Sequence, residues 1–208
     1  MGYHRFGAPI KSTEVEFSSA GIGVESEPLC TLTRAVAMPS HNPEPPVKTA
    51  STSVRDPELA AVALARQLRH EHLGCVLFFC SVEYDLTRLG PALKMAFPGI
   101  RVVGCTSAGE ITSEGYGRGC ISALGFDARY FAIDCALISE LERFTLQDAQ
   151  QVIDGLLSTC RDARLAPVKG NTFAITLLDG LSSREELVLA TLNAALGTIP
   201  QFGGSAGD

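Results

Sequence analysis

The sequence predicts an α/β protein, a mixed sheet built from strand–helix–strand units plus an antiparallel hairpin, with helices packed on the sheet. Three observations carry this. Ser107-Ala108-Gly109-Glu110 recurs as Ser205-Ala206-Gly207-Asp208, an offset of 98 residues from position 107 to position 205. The same offset lays Val76-Leu77-Phe78-Phe79 on Ala174-Ile175-Thr176-Leu177, Ser81 on Asp179, and the segment from Leu86 to Phe97 on that from Arg184 to Ala195. Self-similarity at a fixed period marks one supersecondary unit used twice. Second, the apolar runs Cys75 to Cys80 and Ile100 to Cys105 bracket an amphipathic segment, which implies parallel strands joined by a right-handed crossover. Third, only Asp127-Ala128-Arg129 separates two strand-like runs, a connection short enough for an antiparallel hairpin.

Residues 1–46 read as a poorly ordered leader, because Pro39, Pro43, Pro45 and Pro46 oppose both helix and central strand. The α/β domain is expected over 47–208, beginning with a short β-branched strand, Val47 to Thr52. Asp56-Pro57-Glu58 then combines an N-cap acid, proline at the first helical position and an acid in the first turn, so a helix follows and runs to Arg69 and His70. Strand Cys75 to Cys80 precedes a helix over Leu86 to Phe97, where Gly90-Pro91 is expected to delay or kink the start. Strand Ile100 to Cys105 comes next, then the glycine-rich stretch Gly109 to Gly119. Strands Gly119 to Phe126 and Tyr130 to Ile138 form the expected hairpin. A helix over Leu146 to Cys160, a strand over Thr172 to Leu178 and a helix over Arg184 to Leu196, capped by Ser182 or Ser183, complete the pattern. The second copy of the repeat stops at Asp208, so the unit is expected to be cut short there, leaving Thr172 to Leu178 without some sheet neighbours.

Of the 208 residues 46% are hydrophobic and 19% charged, which excludes wholesale disorder, and the net charge of −6 without any Lys/Arg run excludes a nucleic-acid footprint. No stretch approaches the roughly 20 apolar residues of a membrane helix, and no secretory signal opens the chain, so a cytoplasmic protein with no membrane partner is expected. The seven cysteines are odd in number, include no C-x-x-C pair and fall mostly in apolar runs, the pattern of reduced, buried thiols.

No standard catalytic signature is present, so the chain is expected to be no enzyme. Gly115-Tyr116-Gly117-Arg118-Gly119 leads into a strand and not a helix, which favours a connecting hairpin loop over a phosphate site. In open α/β sheets ligands sit beyond the carboxyl ends of parallel strands. Those ends carry Ser81; Thr106, Ser107, Gly109 and Glu110; and Asp179. Small residues leave room and expose backbone donors, while hydroxyls and acids supply directed polar contacts, a set suited to a small polar ligand. His70 and His72 close the first helix, where the dipole favours them. Metal or haem ligation by them is the minor alternative.

Val102-Val103-Gly104-Cys105-Thr106-Ser107-Ala108-Gly109-Glu110, with the following glycine-rich loop and the final Gly203-Gly204-Ser205-Ala206-Gly207-Asp208, resembles the N-terminal domain of the FIST (F-box and intracellular signal transduction) family. The resemblance implies a sensory domain that binds a small, amino-acid-like ligand and relays the signal to a histidine kinase or to a diguanylate cyclase or phosphodiesterase. No cofactor is expected. Some similar bacterial members are haem-binding nitric oxide sensors, which makes haem the alternative. No histidine lies within the matched motifs.

Overall fold

A computed structural model describes residues 15–18, 29–35, 45–139, 141–180 and 182–206. Strands β1 (Val15–Ser18) and β2 (Leu29–Ala35) come first. The leader read over residues 1–46 thus contains two strands, and most of the remainder lies outside the described residues. Strand β3 is Val47–Thr52. Helix α1 (Pro57–Leu68) starts where Asp56 accepts the Leu59 N–H at 3.0 Å, and it buries Ala60, Ala61, Leu64 and Leu68. Strand β4 (Leu73–Ser81) leads to helix α2 (Leu86–Ala96), capped by Asp85. The helix starts on time and runs through Pro91, so the expected delay does not occur. Proline there forfeits one backbone bond, which burial of Leu89 and Leu93 offsets. Strand β5 (Arg101–Ser107) follows, then β6 (Glu110–Thr112) and β7 (Gly115–Gly117), a small antiparallel hairpin. Strands β8 (Ile121–Asp127) and β9 (Phe131–Leu137) precede α3 (Leu146–Asp162), whose Thr145 and Asp148 form a reciprocal capping box. The chain continues through β10 (Thr172–Asp179), α4 (Glu185–Leu196) and β11 (Gln201–Ala206).

Two larger sheets result, ordered β1-β5-β4-β8-β3 and β11-β10-β2-β9. Strands β4 and β5 are parallel neighbours with α2 crossing between them, as the apolar runs predict. Val76, Phe78, Val102 and Cys105 are 0%, 0%, 1% and 3% exposed, which confirms that the runs are covered on both faces. The pairing is mixed, since β8 runs antiparallel between β4 and β3. One expectation fails: β8 and β9 do not form a hairpin. The 128–130 turn carries the chain from one sheet to the other, and β9 pairs with β2 instead. A short connection joins antiparallel segments equally well within a sheet or between two stacked sheets, and length alone does not separate the cases. The antiparallel hairpin of this fold is β6–β7. Nor does β10 lack neighbours: β11 flanks it in parallel and β2 in antiparallel pairing.

The layers are helix, sheet, sheet, helix. Helices α1 and α2 cover the outer face of the first sheet, burying Leu64, Leu68, Leu89 and Leu93 against Val76, Phe78 and Ile121. Helices α3 and α4 cover the second, with Ile153, Leu156 and Leu192 against Ala174 and Leu178. Between the sheets, Cys75, Leu77, Val103, Cys105 and Phe126 meet Cys135, Leu177 and Ala206. The reversal between β8 and β9 makes β10 and β11 run with β4 and β5, so these four strands finish at the same end of the sandwich.

Candidate functional site

The register places four rows of side chains across the inner face of the first sheet. Val47, Phe126, Cys75 and Arg101 form one row; Thr49, Leu124, Leu77 and Val103 the next; Ser51, Ser122, Phe79 and Cys105 the third; Ser81 and Ser107 the last. Toward the carboxyl ends of the parallel strands this face therefore changes from apolar to hydroxyl-bearing. Hydroxyls cannot contribute to a dry core unless partnered, and so they mark where the interface between the sheets gives way to a site.

That end holds a cavity of about 510 Å³, floored by Phe79 and Leu124 and walled by Thr49, Ser51, Ser107 and Ser122. The β6–β7 hairpin closes one side with Glu110, Ile111, Thr112 and Ser113. Glu110 anchors it. The residue is 2% exposed, and its carboxylate accepts the Ser107 hydroxyl at 3.0 Å and the Cys120 thiol at 3.1 Å. The Ser122 hydroxyl adds a bond to the Ile111 carbonyl at 3.1 Å. Tyr116 lies over Gly109: a Cβ there would stand 2.2 Å from the hydroxyl of this exposed side chain, which can move aside. Burial first, then the bond to Glu110 and its charge, push the Cys120 thiol up to about 11, so it stays protonated and donating at neutral pH. Tyr84, whose hydroxyl donates to the Val54 carbonyl at 2.8 Å, is likewise raised to about 12, mainly by burial.

The family model for the FIST N domain matches residues 74–208, from the start of β4 through β11 and including the hairpin. The chain belongs to the FIST family. Comparison with curated proteins and with solved structures gives no match. FIST domains are sensory domains of signal transduction, and the matched region of this one contains both repeat units and most of the cavity wall.

Of the six residues predicted at this FIST domain's site, Ser107, Gly109 and Glu110 line the cavity. Ser81 and Asp179 do not. Ser81 is buried, its N–H donating to the Cys120 carbonyl at 3.0 Å and its hydroxyl accepting the Glu83 N–H. Asp179 ends β10 beside Ala206, buried on the inner side of the opposite sheet. Thr106 points to the helix side of β5, its buried hydroxyl without a hydrogen-bond partner among the described residues. The sequence reading missed Thr49, Ser51, Phe79, Ser122 and Leu124, although alternation along three predicted strands puts each on the inner face. Gly115 to Gly119 forms β7 and its exit, with Tyr116 accepting from Arg118 Nε at 3.3 Å, and it carries no phosphate-type nest leading into a helix.

Among the described residues, the cavity lining contains no histidine, cysteine, methionine or tyrosine. Among the described residues no group of three or more His, Cys, Asp and Glu is placed to hold a metal. His70 accepts the His72 N–H through Nδ1 at 3.3 Å, which keeps it in the helix-terminal role. No helix among the described residues is long and apolar enough to cross a membrane.

Proposed function

We propose that this FIST domain is a non-catalytic sensory module that binds a small, amino-acid-like ligand beneath the β6–β7 hairpin. The carrying observation is the cavity itself: a polar wall and an apolar floor meet at the carboxyl ends of the parallel strands, closed by a hairpin that Glu110 holds. The ligand's amino group pairs with Glu110 beside Ser107, the hydroxyls of Thr49, Ser51 and Ser122 take its other polar atoms, and Phe79 and Leu124 receive its apolar part. Ser81, Thr106 and Asp179 shape the strand ends around the site. The hairpin is also the output element. It presents Ile111, 80% exposed, and Tyr116, 66% exposed, to a partner, a histidine kinase or a diguanylate cyclase or phosphodiesterase.

A thermal-shift screen of the amino acids on the full chain tests this, because a ligand that prefers the folded state raises Tm. At least one is expected to bind, and Glu110→Gln to weaken it by about 1–3 kcal/mol, the loss of a charge-assisted hydrogen bond. Absence of any shift, or a hit whose affinity is indifferent to Glu110→Gln and Ser122→Ala, contradicts the reading.

A further inference from the structure

At the end of the sheet interface away from the cavity, Cys75 of β4 and Cys135 of β9 lie in one buried cluster. A separate contact ties the strand beside Cys75 to β9. Arg101, the register partner of Cys75, reaches across to donate to the Ile133 carbonyl at 2.8 Å and to the Asp134 carboxylate, the two residues immediately before Cys135. Asp134 also accepts the Cys135 N–H at 3.0 Å, holding that residue in place. Strands β4 and β9 approach within 8 Å at Cα. The other thiols with described partners are engaged elsewhere, Cys120 with Glu110 and Cys160 with the Ala132 carbonyl. Cys75 also borders a separate cavity of about 280 Å³.

We propose that Cys75 and Cys135 are a redox-sensitive pair that a peroxide converts to a disulfide joining the two sheets. In the first step one thiolate attacks the peroxide. The O–O bond breaks, one oxygen stays on sulfur as sulfenic acid, and the other leaves as hydroxide and takes up the thiol proton as water. In the second step the other thiol attacks the sulfenic sulfur. The S–S bond forms, the S–O bond breaks, and a second water leaves with that thiol's proton. Two thiols are oxidised and one peroxide is reduced to two waters. The neighbouring Cys135 thiol and burial push the Cys75 thiol well above the ordinary range, so oxidation is slow at neutral pH and accelerates as pH rises. The linkage closes a long loop of the unfolded chain, and it therefore stabilises the fold.

The test treats the full chain with hydrogen peroxide across pH 7–9, alkylates remaining thiols, and reads intact mass, non-reducing peptide maps and Tm. Wild type is expected to lose two hydrogen atoms, to yield one Cys75–Cys135 peptide, and to gain roughly 5–10 °C in Tm, reversed by dithiothreitol. Cys160→Ser should behave like wild type, whereas Cys75→Ser and Cys135→Ser should form no crosslink. The wild-type map decides the matter even where a serine variant folds poorly. A disulfide from Cys75 to Cys160, or a native chain that keeps both thiols reduced at pH 9, overturns the proposal.

Discussion

The two strand–helix–strand units, β4-α2-β5 and β10-α4-β11, carry one plan with different outcomes. Phe78 pairs with Gly104 in the first, and at the repeat offset Thr176 pairs with Gly203 in the second, the crossover being one residue longer. In both, glycine lets a neighbouring carbonyl approach closely. A Cβ would stand 2.2 Å from the Phe78 oxygen at Gly104 and 1.8 Å from the Thr176 oxygen at Gly203. The surroundings differ. Strand β5 is covered by β1 and continues into the β6–β7 hairpin, whereas β11 is the edge of its sheet among the described residues and shows Phe202, 61% exposed, to solvent. The hydroxyl-lined cavity on the inner face belongs to the first unit, because β3 and β8 supply Thr49, Ser51 and Ser122 and the hairpin supplies Glu110. A repeated scaffold thus leaves function to what is attached at its strand ends.

The largest effect expected from probing this comparison is at the paired glycines. Gly104→Ala forces a methyl group against a buried carbonyl and the fully buried Phe78 ring, so chemical denaturation should show a loss of about 3 kcal/mol or more. Gly203→Ala meets a carbonyl at closer range and adds a φ of 149°, but edge strand β11 has room to shift, so a loss of about 1–3 kcal/mol is expected. Equal losses would mean that the edge is held as rigidly as the interior.

Next in size is helix capping. Thr145→Ala removes the capping box of α3 and should cost about 1 kcal/mol in urea unfolding. Substituting Arg184, the cap position of α4, which makes no side-chain cap bond, should change far less apart from its exposed pairing with Glu142. Ser182 accepts the Arg184 N–H at 3.2 Å one step before the helix, which is why the cap expected of it is absent.

The smallest effect is a pH dependence confined to the first unit. Cys120 titrates at about 11 when folded against an ordinary 9.0, so between these values the unfolded chain has released a proton that the folded chain keeps. Its contribution is therefore fully present below pH 9 and lost as pH rises toward 11. Tyr84, raised from 10.0 to about 12, extends the loss upward. Cys120→Ser should flatten the pH 9–11 part of a Tm-versus-pH curve, and an unchanged slope would move the titration elsewhere.

Much of the fold was legible in the residues. Asp56-Pro57-Glu58 marked α1, the apolar runs marked β4 and β5, and the repeat offset found β10 and α4, because local capping and burial decide such segments. What was not legible depended on tertiary choice. Nothing in Asp127-Ala128-Arg129 says whether the chain turns within a sheet or crosses to another, and β2 enters the second sheet between β9 and β10, partners distant in sequence. Strand β11, rich in glycine, is absent from the elements read in the sequence because its order comes from pairing with β10 and not from its side chains. Ser107, Gly109 and Glu110, which the strand-end rule collects, border the cavity, since the rule names an end of the sheet. It does not name the face, so it also collected Thr106, on the helix side, and Asp179, in the other sheet.

Amide hydrogen exchange of the full chain, with and without the amino acid giving the largest thermal shift, tests most directly whether the first unit alone forms the site. Protection should rise over Ser107 to Gly117 and around Ser122, while β10 and β11 exchange as before. Protection centred on Gln201 to Ala206, with the hairpin unchanged, would contradict the assignment.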